Sequence, residues 1–264
     1  MPFLDRDGVE LYYEQHGAGE ATILLSHGYS ATSSMWRGQV EALRHDFCVI
    51  TWDMRGHGQS SSPDDVALYS EAHTVADMLA LLDETNTKQA VIGGLSLGGY
   101  MSLAFNATHR EKVRALMLFD TGPGYKKDEA RNAWNRMANE RASAFETQGL
   151  DALGNGNEVQ VANHRCALGL ANAARGMLTQ VDDRVIQSLP GITTSTLVLV
   201  GENDKAFLTP SDYMALKIPG SKKVVIADAG HASNIDQPEA FNQAIMEFLG
   251  ELEVTASEEV VGSE

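Results

Sequence analysis

The sequence predicts an α/β protein: a mostly parallel, twisted sheet with helices on both faces and one long helical insertion. Two observations predict the sheet. Short apolar runs rich in β-branched residues recur along the chain at residues 21–26 (ATILLS), 47–53 (FCVITWD), from Ala90, and at 113–119, 196–200 and 223–227. Segments with helical spacing of apolar residues separate several of these runs, and alternation of strand with helix implies parallel strands covered on both faces. A third observation predicts the insertion. Residues 125–189 contain no run that reads as a strand, while Trp134, Met137 and Phe145 keep helical spacing.

The elements follow in order. Residues 3–13 read as a hairpin turning on Asp7-Gly8, a dipeptide that accepts the positive φ angles of a tight turn. The runs at 21–26 and 47–53 are buried strands; the first runs into His27-Gly28-Tyr29-Ser30 and the second into Asp53-Met54-Arg55-Gly56-His57-Gly58. Residues 70–82 form an amphipathic helix with Val75, Met78, Leu79 and Leu82 on one stripe. The run from Ala90 passes through Gly94-Leu95-Ser96-Leu97-Gly98 into a helix marked by Leu97, Met101 and Phe105 at spacings of four. The strand at 113–119 ends at Asp120. Within the insertion, residues 149–157 read as a connecting loop. The strand at 196–200 opens onto Gly201-Glu202-Asn203-Asp204, and Thr209-Pro210 suggests a helix with Thr209 as N-cap. The strand at 223–227 leads to Asp228-Ala229-Gly230-His231. Asp236-x-x-Glu239 reads as a capping box for a helix carrying Phe241, Ile245, Phe248, Leu249 and Leu252. The acidic tail, residues 253–264, is expected to fray.

Composition narrows the function classes. The 264 residues can bury a sizeable core without metals or disulfides, and 43 % hydrophobic with 21 % charged residues describes a globular chain. A net charge of −16 argues against nucleic acid, whose phosphates need clustered Lys and Arg, and against anionic membrane surfaces. Two cysteines, Cys48 and Cys166, imply no disulfide framework. With no basic and apolar leader at residues 1–8 and no run of membrane-spanning length, a reducing, cytoplasmic setting is expected. The sequence leaves the oligomeric state open.

The chemistry centres on Gly94-x-Ser96-x-Gly98. A sharp strand-to-helix turn strains the central residue and crowds the positions two before and two after it, where only residues with little or no side chain fit. Ser96 is therefore lifted clear of the sheet. A serine hydroxyl needs a base to become a nucleophile, and a base with a pKa near neutrality points to histidine. His231, after the last strand, has the best context. Its imidazole needs a carboxylate to hold the tautomer. Asp204 is the first choice, with Asp120 in reserve and Glu202 and Asp228 as further rivals. An oxyanion needs preorganised N–H donors; the backbone amides of Leu97 and Tyr29 are the candidates. His27, Ser96, Asp120, Asp204 and His231 all follow strands of one parallel sheet, so they share its carboxyl-end rim, where ligands of such sheets bind.

Taken together, His27-Gly28-Tyr29, Asp53-Met54-Arg55-Gly56-His57-Gly58, Gly94-Leu95-Ser96-Leu97-Gly98-Gly99, Gly201-Glu202-Asn203-Asp204 and Gly230-His231 make the chain resemble the α/β-hydrolase fold superfamily, in its cap-bearing serine esterase and lactonase branch. The resemblance implies a hydrolase core of residues 1–121 and 192–264, with a helical cap at 122–191. It implies a Ser96–His231–Asp204 triad working through an acyl-enzyme on a small-molecule ester or lactone, with no cofactor and no metal. It also assigns a structural role to the Asp53–Gly58 turn. Relatives that open epoxides or cleave carbon–halogen bonds carry Asp where this chain has Ser96. Carbon–carbon bond hydrolases carry a Gly-Pro-rich loop where this chain has Tyr29-Ser30-Ala31-Thr32.

Hydrolysis of carboxylic esters of small to medium acyl chain is the leading expectation. The alternatives are an enol-lactonase or acyl-lactonase, a cofactor-free perhydrolase, and a ligand-binding receptor on the same fold. Some of Trp134, Met137, Phe145 and Met177 are expected to line an acyl pocket. The net charge predicts a preference for neutral over anionic esters at low salt.

Overall fold

The computed structural model describes residues 3–261, with side chains described through Leu252. A hairpin opens the chain: β1 (Phe3–Arg6) pairs antiparallel with β2 (Val9–His16). Asp7 and Gly8 make the turn with φ of 57° and 85°. The remaining strands are β3 (Thr22–Ser26), β4 (Cys48–Trp52), β5 (Ala90–Leu95), β6 (Val113–Phe119), β7 (Thr196–Gly201) and β8 (Lys222–Ile226). They form one eight-stranded sheet in the order β1-β2-β4-β3-β5-β6-β7-β8. From β4 to β8 every neighbouring pair is parallel; β2 joins β4 antiparallel.

Both faces of the central strands are buried, which is why they read as continuous apolar runs without alternation. One face carries Leu24, Ile50, Ile92, Leu116 and Val198 against α2 (Glu71–Glu84) and α3 (Leu97–Thr108). The other carries Ile23, Val49, Val91, Met117 and Leu197 against α1 (Arg37–Leu43) and α10 (Pro238–Val261). Each such Leu, Ile or Val contributes about 1.5–3 kcal/mol by leaving water. Residues 37–43 raise no helical signal in the sequence: Gly38 sits in the first turn, and only Val40 and Leu43 are apolar contacts with the core.

Between β6 and β7 the chain is helical. It runs through α4 (Asp128–Gln148), α5 (Asn157–Gln160), α6 (Ala167–Ala173) and α7 (Arg184–Ser188). A π-helical turn over Ala174–Leu178 extends α6. Ala142 and Phe145 of α4 pack on Leu170, Ala171 and Ala174. Val185 and Ile186 of α7 instead pack into the sheet's own core. After β7 and β8 come α8 (Leu208–Lys217) and α9 (Ser233–Asp236).

Three local expectations are corrected. α8 starts at Leu208 with Phe207 as its N-cap, so Thr209 lies inside the first turn. Pro210 is tolerated there because the first-turn amides have no helical acceptor. Asp236 does not cap α10. Its carboxylate accepts from Gly230 N–H at 2.7 Å and Asn157 Nδ2 at 2.6 Å, while the Gln237 carbonyl accepts the Phe241 amide. The backbone of α10 continues helical to Val261 where fraying is expected; residues 262–264 lie outside the described residues.

Candidate active site

Ser96 occupies the single residue between β5 and α3, with φ 55° and ψ −114°, a region that non-glycine residues enter only under strain. The neighbours explain the glycines. A Cβ on Gly94 would stand 2.4 Å from the Gly98 carbonyl carbon, and one on Gly98 would stand 2.1 Å from the Ser26 carbonyl oxygen. The end of β6 braces the turn: Ser96 N–H donates to Phe119 O at 2.9 Å, and the Thr121 hydroxyl donates to Ser96 O at 2.6 Å. The Ser96 side chain is half-buried on the wall of a pocket, and among the described residues its hydroxyl has no hydrogen-bond partner.

Asp204 and His231 follow β7 and β8. Asp204 Oδ2 accepts from His231 Nδ1 at 2.7 Å. The carboxylate is buried, with 6 % of its side chain exposed, whereas 33 % of the imidazole is open. Phe207 stacks on the imidazole with ring centroids 5.1 Å apart and planes 25° apart. Burial alone would lower the His231 pKa. The hydrogen bond and charge of Asp204 outweigh it, with smaller help from Asp120 and Glu158, and the net shift is upward.

The rival acids have other partners. Glu202 accepts the Asp228 amide at 3.2 Å. Asp120, fully buried, accepts from Gly201 N–H at 2.7 Å and from the Ser233 hydroxyl. It thereby ties the end of β6 to the start of the Asp204 loop and to the helix after His231. Burial raises the Asp120 pKa to about 7, against the lowering effect of its two donors.

Among the described residues the Tyr29 and Leu97 amides have no acceptor, and both residues line the pocket with Ser96 and His231. The preceding loop is built on buried histidines. His27 Nε2 accepts the Met54 amide at 2.9 Å and its Nδ1 donates to Gly28 O. His57 Nε2 accepts the Ser30 amide at 3.3 Å. Asp53 accepts the Ser33 and Gln59 amides at 2.7 and 2.8 Å. These bonds give Asp53 and His57 structural work, as the resemblance implies.

The sequence leaves other residues of the site unmarked. His164, from the insertion, accepts from Gly58 N–H at 3.2 Å and donates to Ser30 O at 2.9 Å, which fastens the insertion to the Tyr29 loop. Tyr29 also donates its hydroxyl to Leu170 O at 2.8 Å. The pocket, about 360 Å³, lies between the rim and the insertion. Trp134 and Met137 line it, as do the polar side chains of Arg141, Glu158 and Gln180. Phe145 and Met177 are buried in packing instead. Among the described residues no group of three or more His, Cys, Asp or Glu could hold a metal ion, and no helix is long and apolar enough to cross a membrane.

Comparison with known proteins adds relatives over nearly the whole length. Residues 23–244 match the alpha/beta hydrolase family. A putative 2-succinyl-6-hydroxy-2,4-cyclohexadiene-1-carboxylate synthase of Bacillus subtilis is 27 % identical over 92 % of this chain and 96 % of its own. The 3-oxoadipate enol-lactonase 1 of Acinetobacter baylyi is 29 % identical over 93 % of this chain and 95 % of its own. Among solved structures, a thermophilic esterase from Thermogutta terrifontis, malate bound, is similar with a TM-score of 0.79 and 31 % identity, covering 95 % of this chain and 97 % of that one.

Proposed function

The chain belongs to the alpha/beta hydrolase family, and on that premise we propose that it hydrolyses carboxylic esters through an acyl-enzyme on Ser96. The observation that carries the reading is the 2.7 Å bond from His231 Nδ1 to Asp204, on the pocket wall that also holds the unpartnered Ser96 hydroxyl. With Nδ1–H donated to Asp204, the other ring nitrogen is the free base. It takes the proton as Ser96 Oγ attacks the carbonyl carbon. Charge on the carbonyl oxygen is met by the Tyr29 and Leu97 amides, which have no acceptor among the described residues. The imidazolium, stabilised by Asp204, then protonates the leaving alcohol. Water, deprotonated by the same imidazole, releases the acid and restores Ser96. No hydrogen bond joins Ser96 to His231 in the structure, and catalytic contacts of this kind tighten in the substrate complex. The helical insertion acts as the cap over this pocket.

Hydrolysis of a lactone by the same groups is the second reading. It is favoured by the likeness to an enol-lactonase over 95 % of that protein's length. The relative named as a synthase marks a scaffold that is not confined to hydrolysis. A panel of p-nitrophenyl esters, γ- and δ-lactones, and acetate with hydrogen peroxide separates the chemistries, each run beside Ser96→Ala. Ester turnover that Ser96→Ala abolishes supports the proposal. Turnover confined to lactones or to peroxide replaces it with the corresponding alternative, and turnover of none of them leaves the receptor reading.

A further inference from the structure

We infer that the substrate of this pocket carries a carboxylate on its acyl side and that Arg141 receives it, an inference that rests on the ester or lactone hydrolysis proposed above. Arg141 lies on the same face of α4 as Trp134 and Met137, at spacings of seven and four residues, and all three line the pocket with Ser96 and His231. It is half-buried, with its guanidinium carbon 5.8 Å from the centre of the Tyr29 ring. Among the described residues no carboxylate pairs with it. Two other arginines of the insertion are paired, Arg131 with Asp128 and Arg175 with Glu146 at 2.7 Å. A partly desolvated cation without a counter-ion, beside a reactive centre, is a receptor for an anion. Gln180 adds a second donor. Its Oε1 accepts the Tyr125 amide at 3.2 Å, and its Nε2 has no acceptor among the described residues; the side chain lines the same pocket.

The ring beneath Arg141 is that of Tyr29, and this neighbour places the anion. Glu158 borders the His231 side, where it acts on the imidazole through its charge, and the adjacent Asn157 is bonded to Asp236 below the His231 loop. The leaving alcohol collects its proton from His231, so it departs along that acidic edge, where a second carboxylate would be repelled. Arg141 stands over the ring of Tyr29, the residue whose amide is proposed above to receive the acyl carbonyl oxygen. A carboxylate on the acyl portion meets the cation, and one on the alcohol meets Glu158. The net charge of −16 predicts the reverse preference from the far field; the substrate inside the pocket is governed by the nearest unpaired charge, because screening removes the distant ones.

The test compares p-nitrophenyl hydrogen glutarate with its methyl ester, two substrates that differ in one charge. Arg141→Gln is expected to lower the acid-to-methyl-ester ratio of kcat/KM by about tenfold or more, the weight of a charge-assisted hydrogen bond. Arg141→Lys is expected to retain part of the ratio, keeping charge while losing the planar fork. A ratio unchanged in Arg141→Gln overturns the inference. Calorimetric binding of glutarate to Ser96→Ala protein reads the same contact without turnover. It is expected to weaken by a similar factor when Arg141→Gln is added, and failure of glutarate to bind the Ser96→Ala protein also overturns the inference. If ester turnover survives Ser96→Ala, the proposed mechanism fails while the glutarate titration still judges Arg141.

Discussion

Asp204 Oδ2 and His231 Nδ1 stand 2.7 Å apart across 27 residues of sequence. The cause is topological. β7 and β8 are parallel neighbours, so the loops leaving their carboxyl ends start side by side, and each needs only a few residues to bring its side chain to the other. The same pairing fixes the electrostatics: a buried carboxylate at hydrogen-bond distance favours imidazolium over imidazole.

The pH profile follows from that shift. His231 must be neutral to act as base, so kcat/KM for a neutral ester is expected to rise with pH through a single ionisation above the ordinary histidine value of about 6.5. The stability contribution has the opposite sense. A folded pKa raised above the unfolded one stabilises below about pH 6.5, and that contribution is lost as pH rises through the folded pKa. An acid limb at or below about 6.5 would contradict the assigned pairing.

Asp204→Asn and Asp120→Asn separate the orienting acid from its neighbour. The first removes the acceptor of His231 and is expected to cost about 10⁴-fold in kcat with the fold retained. In the second, Asn keeps an acceptor for Gly201 N–H and loses one for Ser233, so the expected loss is about tenfold or less. A severe Asp120→Asn with a mild Asp204→Asn would move the acid to the end of β6.

Legibility tracked whether a residue's role is written in local backbone constraints. Ser96 was legible because Gly94 and Gly98 have no room for a Cβ, and that demand shows as a motif. Asp204 and His231 were legible as strand-end residues once the strands were found. Asp236 was misread because a carboxylate three residues before Glu239 is a capping pattern in sequence, whereas in space Gly230 and Asn157 claim it. The α1 helix and the contacts of His164 and Arg141 left no periodic trace, since each depends on what tertiary packing brings alongside.

Acyl-chain preference tests the cap. A pocket of about 360 Å³, roofed partly by Trp134 and Met137, has limited depth. Each added methylene is expected to help by about 0.8 kcal/mol until the pocket is full. For straight-chain p-nitrophenyl esters, kcat/KM should peak at short to medium chains and fall beyond them. A rate still rising at palmitate would refute a pocket of limited depth.

Acid sensitivity tests the buried histidines. Burial pushes His27 down to about 4, and lowers His57 and His164 as well. The unfolded chain therefore binds protons that the folded one refuses, and stability is expected to fall as pH drops from about 6.5 toward the folded pKa values. His164→Asn removes one such group, and the slope of unfolding free energy against pH should lessen by up to about 1.4 kcal/mol per pH unit. An unchanged slope would mean that His164 is protonated in the folded protein.

The central claim is that Ser96 is the nucleophile. Labelling the protein with a fluorophosphonate and mapping the adduct by peptide mass spectrometry tests it most directly. One stoichiometric adduct on Ser96 is expected, absent from Ser96→Ala and slowed by orders of magnitude in His231→Ala, because the groups of a triad act as a unit. An adduct on any other serine, or labelling that persists in Ser96→Ala, would contradict the account.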